Sequence, residues 1–315
     1  MIKKKIKIIF AAGIHSGGGL FIFNYLKQKM ISIEDIIYID ERLKNTKFLR
    51  KSRLICVKKN IFSKVYNEIK ALRSNIVNSD EIIFLNGLPP FLGSSKKVTV
   101  YFQNANILKD ETSIHHLFSL DFLRSLKFLL FRGNVNKWIV FSKHAKKILS
   151  KYVNINRIYL KKINLKLTNK KQYKKVYDFI YPASGEDHKN HKKLIDAFIH
   201  LSKKKHFPKL LITLNKSDYK KLNILHYKKK YKLRIFNKPN KNRKIFLKNY
   251  NRSRALIYPS TSETLGLPLL EAKEMGLDIL VSNKEFAKNY ASKKYVFNPY
   301  KTESIVKIIL KYLYN

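Results

Sequence analysis

Two carboxylates eight residues apart, Glu263 and Glu271, stand in the run Pro259-Ser260-Thr261-Ser262-Glu263-Thr264-Leu265-Gly266-Leu267-Pro268-Leu269-Leu270-Glu271-Ala272. The run follows an apolar stretch, Ala255 to Tyr258, that reads as a strand. It therefore lies at a strand's C-terminal end, where open α/β sheets bind ligands. Pro268 suits the first turn of a helix, and Gly276 suits its end. Free amides near Gly266 and Leu267 would then point outward with the positive end of a helix dipole, which makes an anion site. Beside a diphosphate, carboxylates are repelled by the anion and suited instead to accepting hydrogen bonds from sugar hydroxyls. The alternative makes Glu271 a helix-start acid and Glu263 a solvated loop residue.

A second run, Tyr181-Pro182-Ala183-Ser184-Gly185-Glu186-Asp187-His188-Lys189-Asn190-His191-Lys192, also follows a strand-like segment. Asn190 reads as an N-cap, because Leu194, Ala197, Phe198 and Leu201 form one apolar face of a helix after it. Lys189 then sits at a helix start, where a cation is unfavourable unless an anion binds there. The alternative is one more surface lysine. The three-residue spacing of His188 and His191, with no acid or cysteine pattern nearby, is weak grounds for a metal.

The third run is Gly13-Ile14-His15-Ser16-Gly17-Gly18-Gly19, a loop before the helical pattern Leu20 to Lys29; it holds four of the chain's 10 glycines. Such a loop permits close backbone approach to a ligand. It is no P-loop, since the Lys-Ser/Thr ending is missing, and it lacks the second-strand acid of a dinucleotide fingerprint. No Asp-x-Asp occurs, so Lys189 and helix amides, with no metal, would neutralise a bound diphosphate.

The elements that position these runs alternate between strand and helix. Strand-like runs at Lys7 to Ala11, Ile36 to Ile39, Leu54 to Val57, Ile82 to Leu85, Val98 to Phe102 and Trp138 to Phe141 predict a first parallel sheet, with helices at Ile61 to Leu72 and Ser142 to Tyr152. Asn154 to Lys175 is basic and weakly periodic and reads as a linker. The alternation restarts at Phe179 to Pro182, Leu210 to Leu214, Leu233 to Phe236, Ala255 to Tyr258 and Ile279 to Val281. The expectation is an α/β chain of two Rossmann-like domains, 1–168 and 169–315, facing a cleft.

Together these runs resemble the group 1 family of retaining glycosyltransferases, family four, with the GT-B fold. The match is best across Phe179 to Pro299. Glu263 and Glu271 stand at the spacing of that family's E-x7-E motif, within a Pro-Ser, Glu, Gly-Leu-Pro, Glu-Ala context. The run His188-Lys189-Asn190-His191 is similar to the basic donor motif of polysaccharide mannosyltransferase-like members, and Gly17 to Gly19 match the N-terminal glycine loop. The resemblance implies that Lys189 contacts the diphosphate of a nucleotide-sugar donor and that Gly266 and Leu267 lend it amides; where the family's arginine is missing, either Lys189 carries more of that charge alone or His188 assists. It implies that Glu271 binds the ribose, Glu263 contacts the transferred sugar, and Gly18 and Gly19 complete the donor site. The N-terminal domain would receive a glycan or lipid-linked saccharide acceptor, in bacterial surface polysaccharide synthesis. Gln103 and Asn104 stand where many members have a histidine, and Ser184 lies near the place of an absent arginine. Asp278 replaces a common proline. The chain stops at Asn315, directly after the pattern Ser304 to Leu313, without the long crossover helix of many relatives.

The 315-residue chain has 66 Lys and Arg against 21 Asp and Glu, a formal charge of +45. That surface suits an anionic partner, or reflects a compositional drift toward lysine. Nucleic-acid binding would explain the charge but not the two strand-loop-helix anion sites, and no zinc-finger or RNA-recognition pattern supports it. A GT-B-like epimerase or phosphorylase would share the fold, but it would call for carboxylates and histidine around the anomeric region. The single cysteine, Cys56, permits no intramolecular disulfide and fits a reducing cytoplasm. No apolar run spans a bilayer. Leu117 to Lys137 mixes Leu and Phe with Arg124, Lys127 and Arg132. It reads either as an interfacial helix in peripheral contact with an anionic membrane or as a buried helix.

Overall fold

The computed structural model describes residues 6–15, 17–32, 34–44, 53–74, 79–108, 120–165, 167, 173–239 and 243–314. The chain divides into two compact units, Met1–Ile163 and Asn164–Asn315. The division read from the sequence falls at 168/169.

In the first unit, strands β1 (Ile6–Ala11), β2 (Ile36–Asp40), β3 (Arg53–Val57), β4 (Ser79–Phe84), β5 (Lys97–Tyr101), β6 (Lys137–Val140) and β7 (Ile158–Leu160) form one sheet. Its order is β3-β2-β1-β4-β5-β6-β7, with every pairing parallel. Helices α1 (Gly17–Met30), α2 (Ile61–Leu72), α3 (Leu120–Phe131) and α4 (Lys143–Leu149) connect the strands. Both faces of a parallel sheet must be covered, which is why β1, β2 and β4 read as apolar runs and not as alternations. Phe10, Phe84, Phe102, Phe128 and Trp138 fill the core. Local capping sets the helix starts. Asn60 accepts from the Ser63 amide at 2.7 Å before α2, and Ser142 accepts from the Ala145 amide at 3.0 Å before α4.

Three expectations change here. The stretch read as linker contains β7, a three-residue edge strand too short to show periodicity. The glycines 17–19 form the first turn of α1 and not a loop before it. The second-strand acid is present: Asp40 closes β2 and is buried. It is held by Arg42, whose Nε and Nη2 donate to its two oxygens at 2.6 and 2.7 Å, which keeps the carboxyl below its usual range against the opposing cost of burial.

The second unit has β8 (Tyr177–Tyr181), β9 (Leu210–Ile212), β10 (Ile235–Asn237), β11 (Ser253–Tyr258), β12 (Asp278–Ser282) and the two-residue β13 (Val296–Phe297). The order is β10-β9-β8-β11-β12-β13, again all parallel. Helices α5 (His191–Lys203), α6 (Lys216–Lys221), α7 (Ile224–Lys230), α8 (Arg243–Asn251), α9 (Leu267–Glu274) and α10 (Thr302–Tyr314) complete it. The strand order runs outward from β8 through β9 and β10, then reverses to β11 on the other side. The loops after β8 and β11 therefore flank a topological switch point, the place where such sheets open a crevice. Residues 117–119, 168–172 and Ser16, parts of stretches read from the sequence, lie outside the described residues.

Candidate functional site

The loop after β8 and the loop after β11 touch through their backbones. The His188 carbonyl accepts from the Thr261 amide at 2.8 Å, and Asn190 Nδ2 donates to the carbonyls of Pro259 and Pro299 at 3.2 and 2.7 Å. The cap expected from Asn190 is not made. Its side chain is spent on those bonds, and its backbone is left-handed at φ 58°, a conformation asparagine tolerates. Lys189 closes a short 3-10 turn, Asp187–Lys189, and its carbonyl accepts from the buried Tyr181 hydroxyl at 2.5 Å.

The Lys189 ammonium donates to Glu263 Oε1 at 2.7 Å. The same oxygen lies 2.7 Å from the Tyr258 hydroxyl and 2.8 Å from Ser260 Oγ. The Lys189 and Glu263 side chains are only 15% and 11% exposed, so neither is the solvated surface residue of the alternative reading. Burial, followed by the Glu263 charge, raises the Tyr258 phenol well above its ordinary pKa, so it stays a donor. All three donors converge on Oε1. Among the described residues, Oε2 receives no protein hydrogen bond, and it is the oxygen left to meet a ligand.

Gly266 caps α9 at φ +66°, and an added Cβ would lie 2.9 Å from Leu269 Cδ1. Glycine is required there to turn the chain into the helix. The Leu267 amide opens α9, before the first helical hydrogen bond can reach it, and Pro268 has no amide to orphan. Glu271 lies one turn further on and is buried, with Oε2 accepting from Tyr250 of α8 at 2.6 Å. It is thus not a first-turn acid responding to the dipole. Tyr250 is a site neighbour that carried no local signal in the sequence.

His188 is half-buried, with Nε2 3.8 Å from Glu186. His191 faces inward. Its Nε2 is 2.9 Å from the Ser184 carbonyl, and burial pushes its pKa down to about 4. Lys189, His188, Glu263, Gly266, Leu267 and Glu271 thus belong to one end of the second sheet.

The remaining expected residues gather in the first unit, at the equivalent end of its sheet, around the reversal between β1 and β4. Gln103 Nε2 donates to the Leu85 carbonyl at 2.8 Å, and a Cβ on Gly19 would stand 3.5 Å from Gln103 Oε1. Asn104 is half-buried beside it. Among the described residues, nothing beyond its chain neighbours and its own helix backbone lies within 4 Å of a Cβ added at Gly18. Among the described residues no three His, Cys, Asp or Glu side chains form a metal-holding group.

Two all-parallel Rossmann-like units in tandem, with a glycine-capped helix start, a lysine, a half-buried carboxylate and a buried one at the second switch point, define the GT-B glycosyltransferase fold. Residues 165–315, nearly the whole of the second unit, match the family described as glycosyl transferases group 1. No curated protein matches the sequence. Among solved structures, Anabaena Alr3699/HepE in complex with UDP-glucose is similar at TM-score 0.72 and 11% identity, covering 99% of this chain and 90% of its own. The lipopolysaccharide outer core galactosyltransferase WaaB is similar at 0.64 and 15%, covering 98% and 90%. S. aureus TarM in complex with fondaparinux, α-GlcNAc-glycerol and UDP matches at 0.58 and 14%, covering 92% of this chain, which spans only 51% of TarM.

Proposed function

We propose that the chain is a retaining, metal-independent glycosyltransferase that moves a sugar from a nucleoside-diphosphate sugar to a glycan or lipid-linked saccharide. One observation carries the reading. Lys189 and the amide end of α9 stand on loops after adjacent strands, drawn together by Glu263. An ammonium and an outward helix dipole at one switch point suit a diphosphate. Glu263 Oε2 then accepts from a hydroxyl of the transferred sugar, and Glu271, held by Tyr250, from the ribose.

In the reaction, the bond between the anomeric carbon and the diphosphate oxygen breaks and negative charge builds on the β-phosphate. Lys189 and the Gly266 and Leu267 amides stabilise that charge as it forms, which lowers the barrier more than equal binding of the ground state would. The acceptor oxygen attacks from the same face and its proton passes to the departing phosphate oxygen. The products are the glycoside and the nucleoside diphosphate, and no protein base is needed. Gly18, Gly19, Gln103 and Asn104 serve the donor and acceptor from the first unit. The absence of Asp-x-Asp supports a metal-free site. The name of WaaB, a lipopolysaccharide outer core galactosyltransferase, is in keeping with a saccharide acceptor of surface polysaccharide synthesis. The formal charge of +45 suits peripheral contact with an anionic membrane on its cytoplasmic side.

A thermal-shift panel of nucleotide sugars tests the reading, followed by release of nucleoside diphosphate with and without chelator. A ligand bound only by the folded state raises the melting point. Wild-type protein that is shifted by no nucleoside diphosphate, or that binds DNA in a salt-sensitive way and consumes no donor, would sink it.

A further inference from the structure

At the C-terminal ends of β2 and β3, in the first unit, lies a hollow of about 450 Å³ lined by Glu41, Lys58, Lys59 and Asn60. Glu41 opens the 3-10 turn that follows β2, and the other three residues link β3 to α2. Such strand ends are where parallel sheets take ligands. None of these residues belongs to the Lys189 and Glu263 cluster, which is built in the second unit.

The polar groups around the hollow are unevenly committed. Glu41 Oε1 accepts from the Lys59 amide at 2.7 Å, and Asn60 Oδ1 from the Ser63 amide at 2.7 Å. Asp40 is taken up by Arg42 through both its oxygens. The ammonium groups are not committed. Among the described residues, those of Lys58, Lys59 and Lys64 donate to no protein oxygen. Lys58 and Lys59 are exposed, but Lys64, in the first turn of α2, is half-buried. Its Nζ reaches the loop after β1, 3.9 Å from where a Cβ on Gly13 would stand. A cation partly withdrawn from water is costly until an anion joins it. The chain is basic throughout, so the number of lysines here argues nothing; their arrangement does. Three uncommitted ammonium groups stand at one end of the sheet, and each acid nearby already accepts hydrogen bonds.

The chemistry favours phosphate over carboxylate. Lysine acts as a point charge with rotatable donors, which suits the several oxygens of a phosphate. The planar fork that matches a carboxylate, Arg42, is closed on Asp40. The hollow also lies off the reversal between β1 and β4, where Gln103 and Gly19 meet. Two strand spacings, roughly 10 Å, separate β1 from β3. A group held there is therefore a charged substituent further along the acceptor, and not the hydroxyl that reacts.

We infer that the acceptor is a saccharide carrying phosphate, and that Lys58, Lys59 and Lys64 of the first unit bind this group. The inference rests on the glycosyltransferase reading above and names the chemistry of its acceptor.

Cys56, the chain's single cysteine, is exposed two residues before Lys58 and can carry an environment-sensitive fluorophore that reports on the hollow. The labelled protein is titrated at physiological salt with glucose 6-phosphate, geranyl diphosphate, glucuronate and glucose. Both phosphates should give a saturable response, glucuronate a weaker one and glucose none. The tighter of the two phosphates tells whether the group is an ester on the saccharide or the diphosphate of a lipid carrier. Lys58→Gln, Lys59→Gln, Lys64→Gln should lose at least roughly tenfold in affinity for it, and the exposed pair Lys58→Gln, Lys59→Gln a large part of that. Lys189→Ala should leave it unchanged. Glucuronate bound as tightly as either phosphate would overturn the assignment of phosphate. A triple variant that binds like the parent, or a response lost in Lys189→Ala, would move the anion to the donor site and remove the subsite. If nucleotides raise the melting point while the fluorophore answers neither phosphate, the subsite fails and the glycosyltransferase reading stands. If the hollow binds phosphate and no nucleotide shifts the protein, the anion site remains but its role toward an acceptor is lost.

Discussion

Replacing Glu263 by glutamine removes one negative charge while leaving an amide oxygen able to take the place of Oε1. Lys189 Nζ, the Tyr258 hydroxyl and Ser260 Oγ, at 2.7, 2.7 and 2.8 Å, then donate to a neutral acceptor. Hydrogen bonds to charged groups contribute about 1.5–3 kcal/mol and neutral ones about 0.5–1.5, so each bond loses about 1 kcal/mol and the three together about 3. An independent route gives a similar figure. Breaking one side of a buried ion pair costs about 3–5 kcal/mol, and this pair, not wholly buried, belongs at the low end. A loss of about 3 kcal/mol corresponds to a melting point lower by roughly 6–12 °C for a unit of this size. Guanidinium unfolding followed by far-UV circular dichroism measures it, in a cycle with Lys189→Met. The double variant should be less destabilised than the sum of the singles by about 1.5–3 kcal/mol. If the two effects add within about 0.5 kcal/mol, the pair does not hold the two loops together and the reasoning fails.

Lys189→Ala should weaken binding of the best-shifting nucleotide by about 10- to 100-fold, the value of a charged hydrogen bond, as read by titration calorimetry. Gly266→Ala forces a side chain into a left-handed residue against Leu269 and should lower stability by about 1–2 kcal/mol, seen as a lower midpoint in urea. His191, whose pKa falls from 6.5 to about 4 on folding, is bound neutral, so the unfolded chain takes up the proton first as pH falls. The stability from this group is fully present above about pH 6.5, declines between there and pH 4, and amounts to roughly 3 kcal/mol. His191→Gln should flatten that part of the stability profile; an unchanged slope would place the titration elsewhere. Tyr250→Phe removes the 2.6 Å bond to Glu271 and should cost about 1–3 kcal/mol by thermal unfolding.

The two loops of the site were legible because each follows a strand buried on both faces, and such strands read as unbroken apolar runs. Helix α2 was legible to both ends because its apolar spacing stops where Asn60 and Arg73 cap it. Pairings across the sheet left no trace in the sequence. Lys189 and Glu263 are 74 residues apart, and their contact depends on β11 returning beside β8, which alternation of strand and helix does not specify. The same holds for Tyr250 and Glu271, brought together only by the packing of α8 and α9. Asp40 escaped notice because the apolar run Ile36 to Ile39 ends one residue before it. β7 and β13 have three and two residues, below the length at which any period can be read. Asn190 was placed correctly at the helix start but for the wrong bond, since side-chain capping assumes an extended backbone there and the switch-point loops impose a left-handed one.

The outward run through β9 and β10 before the return to β11 has a consequence for how the protein is made. As the chain leaves the ribosome, β8 and its lysine emerge first, and two complete excursions must be synthesised and parked on one side before the opposite wall exists. Contacts closed over so long a stretch of chain form late, because their loop-closure entropy is offset only once the intervening strands have docked. Nascent chains ending before Ser253 should therefore hold no nucleotide. Recovery of nucleotide binding should be among the last signals regained when the unfolded protein is diluted out of denaturant, well after its helices have returned.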